Sequence, residues 1–472
     1  MAALTDAQIE QLQALLANQA RISDLPEAEG KDVLSLIVEV LENGESKKTK
    51  LATLLPYLED TCAYGVEWST AVSTPAMTRV GNLSLHKSLP IQNRMKGVIL
   101  ADDGSVVEHL SPNSWKAHIL DGSKGQVMVE LPAHYRKFQT LSDGVTRRAM
   151  ISEYPLPDYK FVPKQYVSAY EATVEQSTGK LCSIVNNGTS YRGGANKADW
   201  DGTYRSLLGR PRTSMSRTQF RNAARLRNTA NTCWNTLTIS AYKTIFWLYY
   251  IEYANRNCQL PYNAALDANG YKQGGLGNGI SNKSAWGDFN SYNPFVPCGW
   301  TDDLGNFSGE VAYPIYDANG TLVETLYANR YRGIELPFSH IFKVVDGINL
   351  KVLSDADGGT TGLYECLNPA NFSDSVYDGY TFQGNIARVN GYVNKLLFGE
   401  NGSILPAETG GGSTTYWSDY FYCDKSVSRL LTAWFGGTAS YGAHVGFAFA
   451  LTNFTPADAD AGYGSRLCFI PV

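Results

Sequence analysis

Apolar positions fall along this chain in three textures. In residues 4–22, "LTDAQIEQLQALLANQARI", Ile9, Leu12, Leu15 and Leu16 recur at helical spacing, and Thr5 with Gln8 fits a capping box. An amphipathic helix is expected there. Pro26 and a polar stretch follow, so its stripe is expected to pack on a partner protein or a sister subunit. Up to about residue 150 the period then shortens toward two. "SLIVEVLENGESKKTKLATLL" sets Asn43 and Gly44 between apolar-rich runs, "GVILADDGSVVEHL" sets Asp103 and Gly104 at a tip, and "GQVMVELPAHYRKF" alternates. Each reads as a hairpin, with a helix over 34–41 as the competing reading of the first.

The third texture, from about 151, carries the best helical patterns. One starts near Ser216, with Gln219 completing a capping box and Arg221, Arg225 and Arg227 expected on its exposed face. The next runs from about Thr238 to Asn255 and is apolar nearly all round, which predicts a helix buried in the core. The Gly-, Asn- and aromatic-rich stretches at 270–300 and 400–423 have turn chemistry and read as long ordered loops over short strands.

Composition narrows the function. The 472 residues carry a formal charge of −5, with 43 % hydrophobic and only 18 % charged residues, so a globular chain of two or three domains is expected and a nucleic-acid partner is not. The 29 Tyr and 44 Gly suit β-rich folds and binding surfaces. No apolar run approaches the roughly 20 residues of a membrane span. The start lacks a basic segment followed by an apolar one, so folding in a cytoplasm is expected. There the eight cysteines, which form no CxxC pair, are expected as free buried thiols.

Chemistry is harder to place. The six histidines never take a metal-ligand spacing, and the acidic runs at Asp355 and Asp458 lack the full calcium-loop ligand set; they read as solvated turns. No GxSxG elbow occurs. "GGLGNG" follows a loop and opens no helix, and "YRGGANKADWDGTYRSLLGRPR" reads as a Gly-bent loop with structural arginine pairs. No catalytic residue, metal or cofactor is expected.

One stretch stands apart. Residues 438–463 contain no Lys, Glu, Gln, Met or Trp. The helix pair, the "CWNTLTISAYKTIFWLYYIEYANRN" core helix, the "GGLGNG" loop and the ending "LLTAWFGG…YG…VGFAFAL…GSRLCF" together resemble a C-type-lectin-like domain. More narrowly, they resemble the variable proteins of diversity-generating retroelements, among them the major tropism determinants of phage tails. In that family a reverse transcriptase errs at adenines of a template, and AAC codons cannot reach Lys, Glu, Gln, Met or Trp.

The resemblance implies an α+β fold. A C-type-lectin-like domain of two helices, short strands and long ordered loops would occupy 151–472, with a variable region at about 430–468. A helix and hairpin at 1–75 would serve tail attachment and oligomerisation, and a β-rich module would fill 76–150. The implied variable, ligand-binding residues are Thr438, Ser440, Tyr441, Ala443, His444, Phe447, Thr452, Phe454, Asp458, Asp460, Gly462 and Tyr463. Trp434, Gly436, Gly437, Gly446, Arg466 and Leu467 would be scaffold, and Val445, Ala448, Ala450 and Leu451 would face the core. The implied function is receptor binding by a phage tail protein in the virion, as a homotrimer. Its partners would be a host cell-surface receptor, protein or glycan, and other tail proteins, with no nucleic acid and no membrane insertion. Two alternatives stand beside it: a copper oxidase like the formylglycine-generating enzymes, using Cys423 and Cys468, and a tail protein that is structural and not diversified.

Overall fold

The structure is a computed structural model that describes residues 37–42, 45–198, 201–280 and 296–471, with side chains from residue 57 onward. The helix expected over 4–22 lies outside the described residues. Strands Ile37–Glu42 and Glu45–Lys50 form the hairpin that Asn43 and Gly44 announced, in antiparallel register from Ile37 opposite Lys50 to Glu42 opposite Glu45. Helix α1 (Leu51–Cys62) follows. The sequence did not announce it, since Pro56 falls inside it.

The Asp103–Gly104 hairpin also forms, from Lys96–Leu100 and Val106–His109. The third expected hairpin does not. Gln126–Leu131 joins a six-stranded sheet, whereas His134–Thr140 joins a separate five-stranded one. Pro132 sits between them. It has no N–H to continue a ladder, and the chain crosses there from one sheet to the other.

The expected α+β architecture with a C-type-lectin-like C-terminal domain is overturned: 35 % of the chain is strand and 15 % helix. The C-terminal part is dominated by a ten-stranded sheet. Its main path runs Thr381–Asn385, Thr361–Glu365, Ile348–Val352, Arg429–Phe435, Ala450–Phe454, Tyr420–Cys423, Gly391–Phe398 and Ser403–Thr409. Of the stretches expected as loops, the described residues 270–280 and 410–419 carry no strand, whereas Ser403–Thr409 and Tyr420–Cys423 are strands; residues 281–295 lie outside the described residues. The boundary expected at 150/151 is crossed by the six-stranded sheet, in which Gln165–Ser168 pairs with both Gln126–Leu131 and Leu467–Phe469.

Three further α-helices lie among the described residues: α2 (Leu83–Ser88), α3 (Arg217–Arg225) and α4 (Ile239–Tyr253). The uniform hydrophobicity of α4 leaves it no solvent face, and every residue of it but Ser240 is buried. Its two charges are paired: Lys243 Nζ lies 2.8 Å from Glu365, and Glu252 takes Arg332 at 2.6 and 2.7 Å. Trp247 donates to Gly402 O at 2.9 Å and packs among Trp68, Phe138, Phe398 and Trp417.

Helix α3 has the expected capping box at Ser216 and Gln219, but its arginines do not face solvent. Arg217, Arg221 and Arg227 are buried and Arg225 is half-buried. Arg217 donates to Ile348 O, Thr432 Oγ1 and Asn349 Oδ1 at 2.6–2.8 Å, and Arg221 spans Asp346 and Asp374. These bonds tie α3 to strands of the ten-stranded sheet. The reason lies in the partners: a guanidinium enters a core when carboxylates and carbonyls far along the chain satisfy it, which helical periodicity cannot reveal.

Candidate functional site

Two turns rise from neighbouring strands of the ten-stranded sheet and enclose an open cleft of about 510 Å³. The first turn follows Arg429–Phe435. Gly436 and Gly437 take φ of 85° and 75°, in the left-handed region that favours glycine, and a Cβ on Gly437 would sit 2.4 Å from Val445 Cγ1. The chain then makes short 3₁₀ turns over Ala439–His444, kinked at Gly442 with φ 57° and ψ −130°. The second turn connects Ala450–Phe454 to Tyr463–Gly464, which pairs in parallel with Phe342–Val344.

Seven of the twelve implied variable residues line this cleft: Thr438, Ser440, Tyr441, His444, Asp460, Gly462 and Tyr463. They come from both turns, on either side of a strand. Ser440 and Asp460 are exposed, Tyr441 and His444 half-buried. Thr438 is buried, and its hydroxyl lies 2.9 Å from that of Ser440. The Asp460 carboxylate accepts the Gly462 N–H at 2.9 Å. A Cβ on Gly462 would meet its nearest neighbours, Asp460 Oδ1 and Thr438 Cγ2, at an ordinary 3.5 Å. Gly462 itself is buried, but a methyl group fits there without a clash.

The other five do not line it. Phe447 is a correction: it is fully buried, with its ring against Tyr249 at 4.9 Å and Phe338 at 5.2 Å. An apolar ring three residues after His444 follows the chain back into the core. Thr452 is buried too, its hydroxyl donating to Tyr422 O at 2.9 Å. Phe454 stacks flat on Trp434 at 4.7 Å. Asp458 closes its own turn, accepting from the N–H and hydroxyl of Thr455 at 2.6 and 2.7 Å. Ala443 is exposed at the outer surface, and its carbonyl accepts from Gln259 at 3.2 Å.

The residues expected as scaffold have clear structural work. Trp434 is fully buried under Tyr463, ring centroids 3.9 Å apart. A Cβ on Gly446 would fall 2.1 Å from Asp419 Oδ1, where no side chain fits. Arg466 is buried and donates to the carbonyls of Ser168, Ala169, Glu335 and Leu336. Leu467 is fully buried, and Val445, Ala448, Ala450 and Leu451 face the core.

Two cleft residues escaped the sequence reading. Tyr422 and Phe342 complete its wall. Tyr422 meets Tyr441 edge to face at 5.6 Å, and its hydroxyl lies 3.1 Å from His444 Nδ1. Tyr420 stacks on the His444 ring at 4.3 Å. The available signal was the alternation in "YFYC": Tyr420 and Tyr422 share one face of a strand while Phe421 is fully buried on the other. Burial pushes the Tyr422 phenol up to about 12 and pulls the His444 imidazole below its usual value, so both are neutral at pH 7.

Elsewhere the expected chemistry has structural occupants. Asp355 is paired with Arg388 at 2.6 Å and Lys425 at 3.2 Å. The Gly-bent loop has its arginine pair, Arg192 to Asp201. All eight cysteines are free, and seven are buried. Cys423 lies in the ten-stranded sheet opposite Thr452, while Cys468 lies in the six-stranded sheet opposite Val167 and Asn235. The chain therefore does not assemble the thiol pair that the copper-oxidase alternative needs.

No family model and no curated protein matches the chain. Among solved structures it is similar to PvdO from Pseudomonas aeruginosa, at 11 % identity and a TM-score of 0.32, over 76 % of this chain and 99 % of that one. A likeness of that size assigns neither fold nor chemistry.

Proposed function

We propose that the cleft is the receptor-binding face of a phage tail protein, and that its rim residues are the ones diversified by adenine-directed mutagenesis. One observation carries this reading. Positions marked only by a restricted amino-acid palette converge on one cleft from two separate turns, and the residues beneath them are held by core packing and buried hydrogen bonds. A binding face under selection for variety needs that division, because each new side chain must leave the frame intact. The lining suits recognition: Tyr, Ser, Thr and Gly supply large rings at low entropy cost and adaptable hydrogen bonds. A single small cleft binds weakly, and several copies on one particle raise avidity by roughly 10²–10⁴. A homotrimer built through the N-terminal part, which also joins the other tail proteins, fits that need.

The test is the neighbouring DNA. A near-copy of the codons for 430–468 should lie beside a reverse transcriptase gene and differ at adenines, in codons of the seven lining residues and Ala443. Gly436, Gly437, Gly446, Phe447, Arg466 and Leu467 should be identical in both. Differences spread evenly over 430–468, or at other bases, contradict the proposal.

A further inference from the structure

The charges of the cleft narrow its ligand, if the receptor-binding reading above is granted. Its wall is aromatic. Tyr441 stands at the corner, edge to face with Phe342 and with Tyr422 at 5.6 Å each, and Tyr463 meets Phe342 at 5.7 Å. Such rings have electron-rich faces and electron-poor edges. One carboxylate, Asp460, stands exposed at the rim. Among the described residues no lysine or arginine lines the cleft, so that carboxylate has no cationic neighbour among them there. The nearby Lys343 is turned away: its ammonium is buried against Glu171 and the carbonyls of Ser339 and Ile341. The cleft therefore holds one formal negative charge, several π faces and hydroxyls from Thr438 and Ser440.

We propose that this cleft takes an ammonium group of the receptor, seated against the Tyr441, Tyr422 and Tyr463 rings and paired with Asp460. A cation over an aromatic face is attracted by the ring quadrupole, and a facing carboxylate adds to that attraction. An anionic sugar would instead meet the Asp460 charge with nothing to offset it. The ammonium has two sources, a lysine side chain of a protein or a quaternary headgroup on the cell surface. The chemistry of the cleft is the same for both.

The experiment titrates the full chain with tetramethylammonium, Nα-acetyl-lysine amide, neutral tert-butanol and N-acetylglucosamine, followed by ligand-observed NMR. The two ammonium probes should bind. The neutral probes should not, and Asp460→Asn should lower ammonium affinity about tenfold. Asparagine keeps the acceptor for the Gly462 N–H, and a melting curve confirms the fold. A preference for the lysine derivative points to a protein receptor and a preference for tetramethylammonium to a quaternary headgroup; either supports the proposal. Equal binding of tert-butanol, preferential binding of N-acetylglucosamine, or an unchanged affinity in Asp460→Asn overturns it. Attachment to host cells separates the two levels of inference. If Ser440→Trp, an exposed rim position whose fold a melting curve confirms, abolishes attachment and Asp460→Asn does not, the ammonium is wrong and the receptor face stands. If Ser440→Trp attaches normally, both fall.

Discussion

Gly446 and Gly462 lie sixteen residues apart in the same ending, and they obey opposite rules. A methyl group at Gly446 would collide with Asp419, whereas one at Gly462 would meet only ordinary contacts. The contrast extends to their surroundings. Around Gly446 the side chains are spent on the frame: Phe447 fills an aromatic cluster, and the Asp419 carboxylate accepts the Ala448 N–H at 2.8 Å. Around Gly462 the exposed side chains of Ser440 and Asp460 line a cleft and bond to Thr438 and Gly462 of the two turns themselves. What separates the two regions is whether a side chain has a structural task, and that decides which positions can change without cost to the fold.

The largest test of this division is Phe447→Ala. Emptying a fully buried ring site costs about 3–5 kcal/mol, so a melting curve should show a marked loss of stability. A near-native melting curve would move Phe447 back into the variable set. Gly446→Ala comes next, at about 1–3 kcal/mol, because Asp419 and its partners must shift to admit the methyl. Gly462→Ala should cost less than Gly446→Ala in the same assay, because the added methyl would meet its nearest neighbours at an ordinary 3.5 Å. Equal costs at the two glycines would erase the comparison.

The frame should also respond to acid. Burial depresses the His134 imidazole to about 4, and its Nδ1 donates to Pro132 O at 2.9 Å. Its folded pKa lies below the unfolded one, so the unfolded chain binds the extra proton. Stability from this group is complete above about pH 6.5 and falls as the pH drops toward 4, by about 1 kcal/mol at pH 5.5. The melting temperature of His134→Asn should depend less steeply on pH over that window than that of the unaltered chain. Equal slopes would show that His134 does not govern this loss.

The sequence made some of this legible and hid the rest. Local chemistry was readable: the Asn43–Gly44 and Asp103–Gly104 hairpins, the Ser216 capping box and the buried α4 all rest on contacts within a few residues. Long-range partners were not. The α3 arginines read as an exposed face because Asp346 and Asp374 lie more than a hundred residues away. Pro132 sent two alternating runs into different sheets. The palette of 438–463 pointed to the cleft yet could not separate Phe447 from Tyr441, since both are rings between small residues. Only the return of the chain into the core distinguishes them. Tyr422 and Phe342 were missed because they belong to other strands, which the fold brings to the same wall.

The central claim is that folding and recognition use different residues of one short ending. Saturation substitution of residues 436–469, scored in parallel for folded protein and for attachment to susceptible cells, tests it most directly. Ser440, Tyr441, His444 and Asp460 should accept many residues for folding and few for attachment. Gly436, Gly437, Gly446, Phe447, Arg466 and Leu467 should accept few for folding. If both scores depend on the same positions, or if the cleft residues can be exchanged freely with attachment intact, the account is wrong.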